Sequence, residues 1–136
     1  MMGNGLTPVE LITVLAIVGT LLAIAVFFFI GYMKSHKVDE AIRIISCIIV
    51  SQEIEKAGKR LEYYNAVGPN AHEIIAKKGI EISKATYFSY ETFRAEGHFV
   101  VVATALPKSR MRGKIIYESK TGKWMGTEDI RQEWLP

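Results

Sequence analysis

Cysteine, proline and N-terminal charge are all scarce in this chain of 136 residues. Its single cysteine, Cys47, excludes an intrachain disulfide, a cysteine-rich metal site and a CxxC redox pair. The sequence contains 17 Lys and Arg and 14 Asp and Glu, but only Glu10 precedes Lys34. The chain therefore combines an almost uncharged N-terminal segment with a highly charged remainder, and this composition argues against a purely cytosolic globular protein.

The uncharged segment is long enough to cross a bilayer. Leu11 to Met33 are 23 residues without a charge, which as a helix would measure ~35 Å, against a hydrocarbon core of ~30 Å. A buried core helix is the alternative, but this run is unusually long and apolar for one. A cleaved secretory signal, suggested by Leu22-Ala23-Ile24-Ala25, is disfavoured because no Lys or Arg precedes the run and Glu10 interrupts its start.

Glu10 is the one ionisable residue at the start of this run, and it needs a partner. A carboxylate in hydrocarbon costs ~2.5–3.5 kcal/mol, and residues 1–33 contain no Lys, Arg or His. Cleavage after Gly5 would create a new amine on Leu6, four residues before Glu10 and on the same helix face. That amine could pair with its own Glu10 or with that of an adjacent subunit. The alternative is a hydrated Glu10 at the headgroup level with no special role.

The residues Gly5-Leu6-Thr7-Pro8-Val9-Glu10-Leu11, followed by the apolar run, resemble the class III leader and N-terminal helix of type IV pilins and of type II secretion pseudopilins. The resemblance implies that a prepilin peptidase cleaves between Gly5 and Leu6 and methylates the new Leu6 amine. It also implies that Glu10 pairs with the Leu6 amine of the preceding subunit and thereby sets axial register.

Some other residues of the run match the pattern of that family, and others depart from it. Gly19 falls on the family's helix glycine and Tyr32 on a common tyrosine, so both are expected to take part in helix packing. Leu6 replaces the usual Phe or Met, and Phe27 occupies a position where many members carry a proline associated with local loosening of the helix.

The positive charges and the family resemblance indicate opposite orientations in the membrane. No basic residue lies in the leader, residues 1–5, whereas Lys34 and Lys37 follow the span. Counting positive charges would place the C-terminal side in the cytoplasm, but the family has the reverse orientation. We follow the family and expect a longer native leader or a start codon upstream.

The helix is expected to continue through residues 34–60, to about Gly58, because no Pro or Gly intervenes before Ala57. Two apolar stripes can be followed along it, roughly 130° apart. One stripe consists of Val38, Ile42, Ile45 and Ile49, and the other of Cys47, Val50, Ile54, Ala57 and Leu61. One of the two stripes can hold the chain's own head, and the other is then left to face something else, unless both stripes belong to one broad core face. Ile42, Ile45 and Ile49 of the first stripe are expected to take part in helix packing.

Cys47 lies in a stretch that is apolar nearly all round, and it is expected to be a small buried hydrophobe with an inert thiol. An intermolecular disulfide is the alternative.

Residues 61–136 predict a globular head with a loop, a short helix and an antiparallel sheet. Asn70 followed by Glu73 predicts a capped helix from Ala71 to Lys78. Strands are predicted at residues 85–93, 98–106, 114–119 and 123–124, where aromatic and β-branched residues are separated by short turns. The expected fold is α+β: a long N-terminal helix, membrane-spanning in its first half, packed on three to four antiparallel strands, as in pilins.

The sequence offers no convincing catalytic or metal constellation. His36, His72 and His98 lie on different predicted elements without ligand spacing or a nucleophile. Glu128 and Asp129 resemble the calcium loops of some pseudopilins, but a run of two acids is more often solvated. We therefore expect no enzyme, no metal and no cofactor.

One loop carries concentrated positive charge. Lys108, Arg110, Arg112 and Lys114 alternate with uncharged residues, and they are the best candidates for contact with an anion or with DNA, as in DNA-uptake pilins. The alternative is a solvated loop, or one that complements acids on a neighbouring subunit.

These observations predict a structural subunit of a type IV pilus-like filament. Its expected partners are copies of itself, prepilin peptidase, a pilus or secretion assembly platform, and inner-membrane lipid before assembly. It would begin as a single-pass precursor with its head outside the cytoplasm and end in an extracellular or periplasmic filament. A minor or competence pilin and a secretion pseudopilin are alternatives within the family. A membrane-anchored binding module that never polymerises is the alternative from another class.

Overall fold

A long helix opens the chain in the computed structural model, which describes residues 7–58, 61–82 and 86–136. Helix α1 extends over Pro8–Ala57, 50 residues. Pro8 suits its first turn because the missing N–H of a proline is not needed there, and the helix ends immediately before Gly58, as predicted. The chain divides into two compact units, residues up to Lys34 and residues Ser35–Pro136, and the second unit is the head.

The head contains a four-stranded antiparallel sheet in the order β1-β2-β3-β4. The strands are β1 (Phe88–Ala95), β2 (His98–Ala105), β3 (Lys114–Glu118) and β4 (Lys123–Gly126). Helix α2 (Ala71–Lys77) precedes the sheet, and two short 3₁₀ turns, Pro107–Ser109 and Gln132–Trp134, complete the fold. The predicted α+β class, with a long N-terminal helix on a small antiparallel sheet, is confirmed.

Strand and helix boundaries differ slightly from those predicted. β1 includes Ala95, which pairs with His98 across the turn Glu96-Gly97, and Gly97 supplies the positive φ, 71°, that such a tight turn requires. Residue 85, the predicted start of the first strand, lies outside the described residues. The Asn70 side chain makes no capping hydrogen bond to α2, so that part of the prediction was wrong, although the helix begins at Ala71 as expected.

The core lies between one face of the sheet and the part of α1 that belongs to the head. Alternate strand residues such as Tyr90, Phe99 and Val101 are fully buried, as expected where successive side chains point to opposite faces. They share one cluster with Val38, Ala41, Ile44, Ile45 and Ile48 of α1. The helix face that the head buries therefore passes through Ile45 and Ile48.

A buried amide joins three segments of the head. The Gln52 amide nitrogen donates to Tyr64 O (2.9 Å) and to Thr92 Oγ1 (2.8 Å), and its Oε1 accepts from the Tyr64 N–H (2.9 Å). Gln52 is completely inaccessible to solvent. Because a side-chain amide has donors and an acceptor, this single residue satisfies both backbone polar groups of Tyr64.

Both outer strands of the sheet are partly covered. Ala66 and Thr92 form an isolated antiparallel bridge on β1, with hydrogen bonds of 2.7 and 3.0 Å. On β4, the Gln132 amide donates to Trp124 O (2.7 Å) and accepts from the Gly126 N–H (3.3 Å). These contacts satisfy edge groups that would otherwise be open to another strand.

Replacing Gln52 is expected to destabilise the head strongly. Gln52→Ala leaves the N–H and C=O of Tyr64 buried without partners, so the free energy of unfolding should fall by about 3 kcal/mol. The measurement is guanidinium unfolding of the full chain in detergent micelles, monitored through the fluorescence of Trp124 and Trp134. The neighbouring exposed Glu53→Ala is the control and should change stability by less than about 0.5 kcal/mol. Equal losses for the two variants would contradict this role for the amide.

Tyr90 gives the head a sensitivity to alkaline pH. Its hydroxyl is buried without a well-formed hydrogen bond among the described residues, although the Thr86 side chain lies close enough to lower its pKa. Burial is the larger effect, and it raises the pKa of the phenol well above 10.0. In the unfolded chain the Tyr90 phenol ionises near pH 10, whereas in the folded chain it stays protonated at that pH. Its effect on the free energy of unfolding is therefore absent below about pH 10, and the folded state loses stability as the pH rises above that value.

Tyr90→Phe should therefore be neutral or stabilising, by up to about 1 kcal/mol at pH 7, and should reduce the loss of stability between pH 9 and pH 11. The same unfolding experiment, repeated across that pH range, checks this. If the variant is less stable than the wild type at pH 7, the phenol makes a stabilising hydrogen bond. If the variant loses as much stability as the wild type between pH 9 and pH 11, groups other than Tyr90 cause that loss.

Candidate functional site: the exposed apolar helix and its N-terminal cap

The described residues of the N-terminal unit form a helical segment with no buried face. Every side chain from Thr7 to Ile30 is exposed, and the exposed fraction reaches 73% for Val9 and 71% for Phe27. This part of α1 is long and apolar enough to cross a membrane. A helix that is apolar all round needs an apolar environment on every side, because soluble monomers rarely expose apolar patches larger than a few hundred Å².

A reciprocal pair of hydrogen bonds caps the start of this helix. The Glu10 N–H donates to Thr7 Oγ1 (3.1 Å), and the Thr7 N–H donates to Glu10 Oε2 (3.4 Å). This is the capping box T-x-x-E, with Pro8 at the first helical position. The Glu10 carboxylate also lies in the first turn, where the helix dipole favours negative charge.

The cap gives Glu10 a structural role that the sequence interpretation missed. The signal was present, since Thr7-Pro8-Val9-Glu10 has the spacing of a capping box. Gly5 and Leu6, the predicted cleavage site and amine partner, lie outside the described residues. The cap bond to Oε2 is long, and a carboxylate accepts up to about four hydrogen bonds, so capping leaves Glu10 able to accept an ammonium group as well.

The other two predicted positions of the apolar segment lie on its surface. A Cβ placed on Gly19 would meet nothing within 4 Å, so this glycine leaves a shallow notch where another helix could approach closely. Tyr32 is 66% exposed. Their part in packing between subunits stays a prediction.

Further along, α1 has one buried and one exposed apolar stripe within the head. Ile45 is in the core, and Ile42 and Ile49 pack partly buried against it. Val50 and Ile54, on the other stripe, are 58% and 67% exposed. The head therefore leaves these residues of the second stripe uncovered, as one of the two sequence interpretations expected.

The prediction that Cys47 is buried was wrong, because its side chain is exposed. The head buries the face through Ile45 and Ile48, and Cys47 lies about 200° around the helix from Ile45. It borders a shallow groove with Val50 and Ile80. Periodicity placed Cys47 on one of two apolar stripes, but it did not show which stripe the head would cover.

The basic loop leads from β2 to β3 and is held firmly at its centre. Lys108, Arg110, Arg112 and Lys114 are exposed, and Arg110 adopts the left-handed conformation, φ 58°. Buried Ser109 anchors the loop: its hydroxyl donates to Leu106 O (2.6 Å) and accepts from the Met111 N–H (3.1 Å).

Histidines and acids of the head have structural contacts. The Tyr90 N–H donates to His72 Nε2 (3.0 Å), and Asp129 Oδ2 accepts from the Arg112 N–H (2.8 Å). Among residues 7–58, 61–82 and 86–136, no three His, Cys, Asp or Glu side chains are grouped closely enough to hold a metal ion.

Comparison of the chain with models of protein families, with curated proteins and with solved structures gives no match.

The capping box predicts the behaviour of the helix start. Thr7→Ala removes the acceptor for the Glu10 N–H and should cost about 1 kcal/mol, which corresponds to roughly fivefold faster hydrogen exchange of the first-turn amides in detergent micelles. Thr7→Ser should retain slow exchange. Thr13→Ala is the matched control, because the Thr13 hydroxyl donates only to Val9 O (2.9 Å) within the helix. Equal exchange in the Thr7→Ala variant and the wild type would refute the cap.

Proposed function

We propose that this protein is a prepilin-like precursor that becomes a structural subunit of a type IV pilus-like filament. The observation that carries the proposal is the apolar helix surface from Thr7 to Ile30, which is exposed on all sides. Lipid can cover that surface in a precursor, and a bundle of like helices can cover it in a filament. The same segment thus serves successively as membrane anchor and as polymerisation element.

The charge at the start of the helix supports assembly in a defined register. Glu10 is the only Asp, Glu, Lys, Arg or His among the first 33 residues, and an unpaired carboxylate is costly once apolar neighbours exclude water. After cleavage between Gly5 and Leu6, a methylated Leu6 amine of the preceding subunit would supply the missing positive charge. Pairing would occur at one axial offset only, so it would fix the rise from one subunit to the next.

The exposed stripe of α1 within the head supports an assembly rather than an isolated anchor. A helix that only tethers a domain needs one covered face, whereas Val50 and Ile54 present a second apolar face. Contacts between heads could cover it. In this proposal the head lies outside the cytoplasm, and the filament is extracellular or periplasmic.

Substitutions at Glu10 separate capping from charge pairing. Glu10→Ala should permit membrane insertion and processing but reduce filament yield at least about tenfold, because a loss of ~1.4 kcal/mol per addition step already weakens each addition tenfold. Glu10→Gln retains a capping-box side chain but carries no charge, and it should reduce filament yield by a similar factor. Thr7→Ala, which weakens the cap but keeps the charge, should assemble.

The measurement is the amount of chain in sheared filaments relative to membranes, made with the cognate assembly machinery. Intact-mass spectrometry of each variant is the control for processing and should give a chain that begins at Leu6 and is one methyl group heavier. Wild-type filament yield from Glu10→Gln would overturn the register role. A wild-type chain that keeps residues 1–5 would instead favour a membrane-anchored binding module that does not polymerise.

A further inference from the structure

A polar cavity lies in the head between the end of α1, helix α2 and strand β1. Its volume is about 240 Å³, and its walls include Glu55 of α1, Lys78 directly after α2 and Arg94 of β1. Glu62 also lines it, from the segment that joins α1 to α2. All of these residues belong to the unit Ser35–Pro136, so the geometry of the cavity is internal to the head.

Two ion pairs converge on this cavity. Lys78 Nζ lies 2.9 Å from Glu55 Oε2, and Arg94 Nη1 lies 2.6 Å from Glu62 Oε2. Each charged group uses only part of its hydrogen-bonding capacity in these contacts, because a carboxylate accepts about four hydrogen bonds and a guanidinium group donates about five. The cavity therefore presents donors and acceptors side by side, separated by the length of a hydrogen bond.

The surrounding residues hold these polar groups in place. Lys78 Nζ lies 4.8 Å from the centroid of the Tyr64 ring, a cation–π contact, and the backbone of Tyr64 is bound by the buried Gln52 amide. On the other side, Asn65 Oδ1 accepts from the Arg94 N–H at 2.8 Å. Polar groups that are already positioned lose less conformational freedom when a ligand binds.

The cavity also has apolar surface. Tyr63 and Ile74 line it and are partly buried against the core, and the Tyr63 ring packs edge-on against Phe99 with centroids 4.8 Å apart. Tyr63 also lines an adjoining cavity of about 170 Å³, where Lys56 Nζ lies 5.3 Å from the ring centroid. A ligand would therefore meet both hydrogen-bonding groups and apolar carbon.

We propose that this cavity binds a neutral saccharide. A sugar hydroxyl both donates and accepts hydrogen bonds, and the oxygens of two neighbouring ring hydroxyls are about as far apart as the donor and acceptor of each ion pair. One hydroxyl can thus donate to the carboxylate while its neighbour accepts from the cation, and neither ion pair has to break.

The rest of the cavity suits the same class of ligand. The C–H groups of a sugar ring would contact Tyr63 and Ile74, since small-molecule sites combine apolar walls with a few placed polar groups. A carboxylate or phosphate ligand would instead meet the Glu55 and Glu62 carboxylates within hydrogen-bond distance of each cation. An anion is therefore a poorer match than a neutral sugar.

This inference is independent of processing and polymerisation, because every residue that carries it lies in the head. Its experiment needs no filaments, and failure of the Glu10 substitutions would leave it intact.

The test is saturation-transfer difference NMR of the full chain in phosphatidylcholine nanodiscs, since maltoside detergents are themselves sugars. The probes are the methyl glycosides of glucose, mannose, galactose and N-acetylglucosamine, together with N-acetylneuraminic acid as an acidic sugar. The wild type should transfer saturation to at least one neutral glycoside, with a Kd on the order of 1 mM. Empty nanodiscs should transfer none.

Arg94→Gln and Glu62→Gln should each weaken that binding about tenfold, because each removes a charged hydrogen-bonding group. The two side chains are 49% and 63% exposed, so both variants should stay folded, which guanidinium unfolding checks. Arg131→Gln is the matched control and should keep wild-type affinity. Arg131 also forms an exposed ion pair, with Glu133 at 3.3 Å, but it lies before the last 3₁₀ turn rather than at this cavity.

Three results would overturn the proposal. The first is saturation transfer to no neutral glycoside, or to N-acetylneuraminic acid alone, which would replace the sugar site with an anion site. The second is unchanged binding in both Arg94→Gln and Glu62→Gln, which would place the sugar elsewhere on the chain. The third is an equal loss of affinity in Arg131→Gln.

Discussion

The need to keep the apolar surface of α1 away from water constrains everything else about this protein. The segment from Thr7 to Ile30 buries none of its side chains within the chain, so its surroundings must supply that burial. At ~25 cal/mol per Å², so large a surface makes transfer to water prohibitive. Lipid can avoid that cost, and in the proposed function neighbouring helices would take the place of lipid without exposing the surface to water.

Glu10 shows how one residue can have two functions with different physical origins. Its hydrogen bonds to Thr7 satisfy backbone groups at the helix start, a local requirement of any helix. Its charge has a separate cost in an apolar environment. A glutamine could still cap the helix but would carry no charge, so the register proposed for a filament would depend on the carboxylate itself.

The sequence predicted the fold class, the end of α1 and four antiparallel strands, because hydrophobic period and turn residues are local signals. It failed where tertiary contacts decide. The Gln52 junction depends on Tyr64 and Thr92, which are distant in sequence, and no local pattern marks it. Cys47 was misplaced for a similar reason, since two apolar stripes looked equivalent until the sheet covered one. The link between Lys37 and Ser109 spans 72 residues and was also invisible to pattern reasoning.

The protected margins of the sheet have a consequence for crowded heads. On β4 the Gln132 amide imitates the donor and acceptor of a neighbouring strand, and on β1 the Ala66 bridge does the same. Molecules concentrated at a surface would otherwise risk joining edge to edge into amyloid-like stacks. Because these margins are partly covered, edge-to-edge pairing between heads is disfavoured, and any contact between heads would involve side-chain surfaces instead.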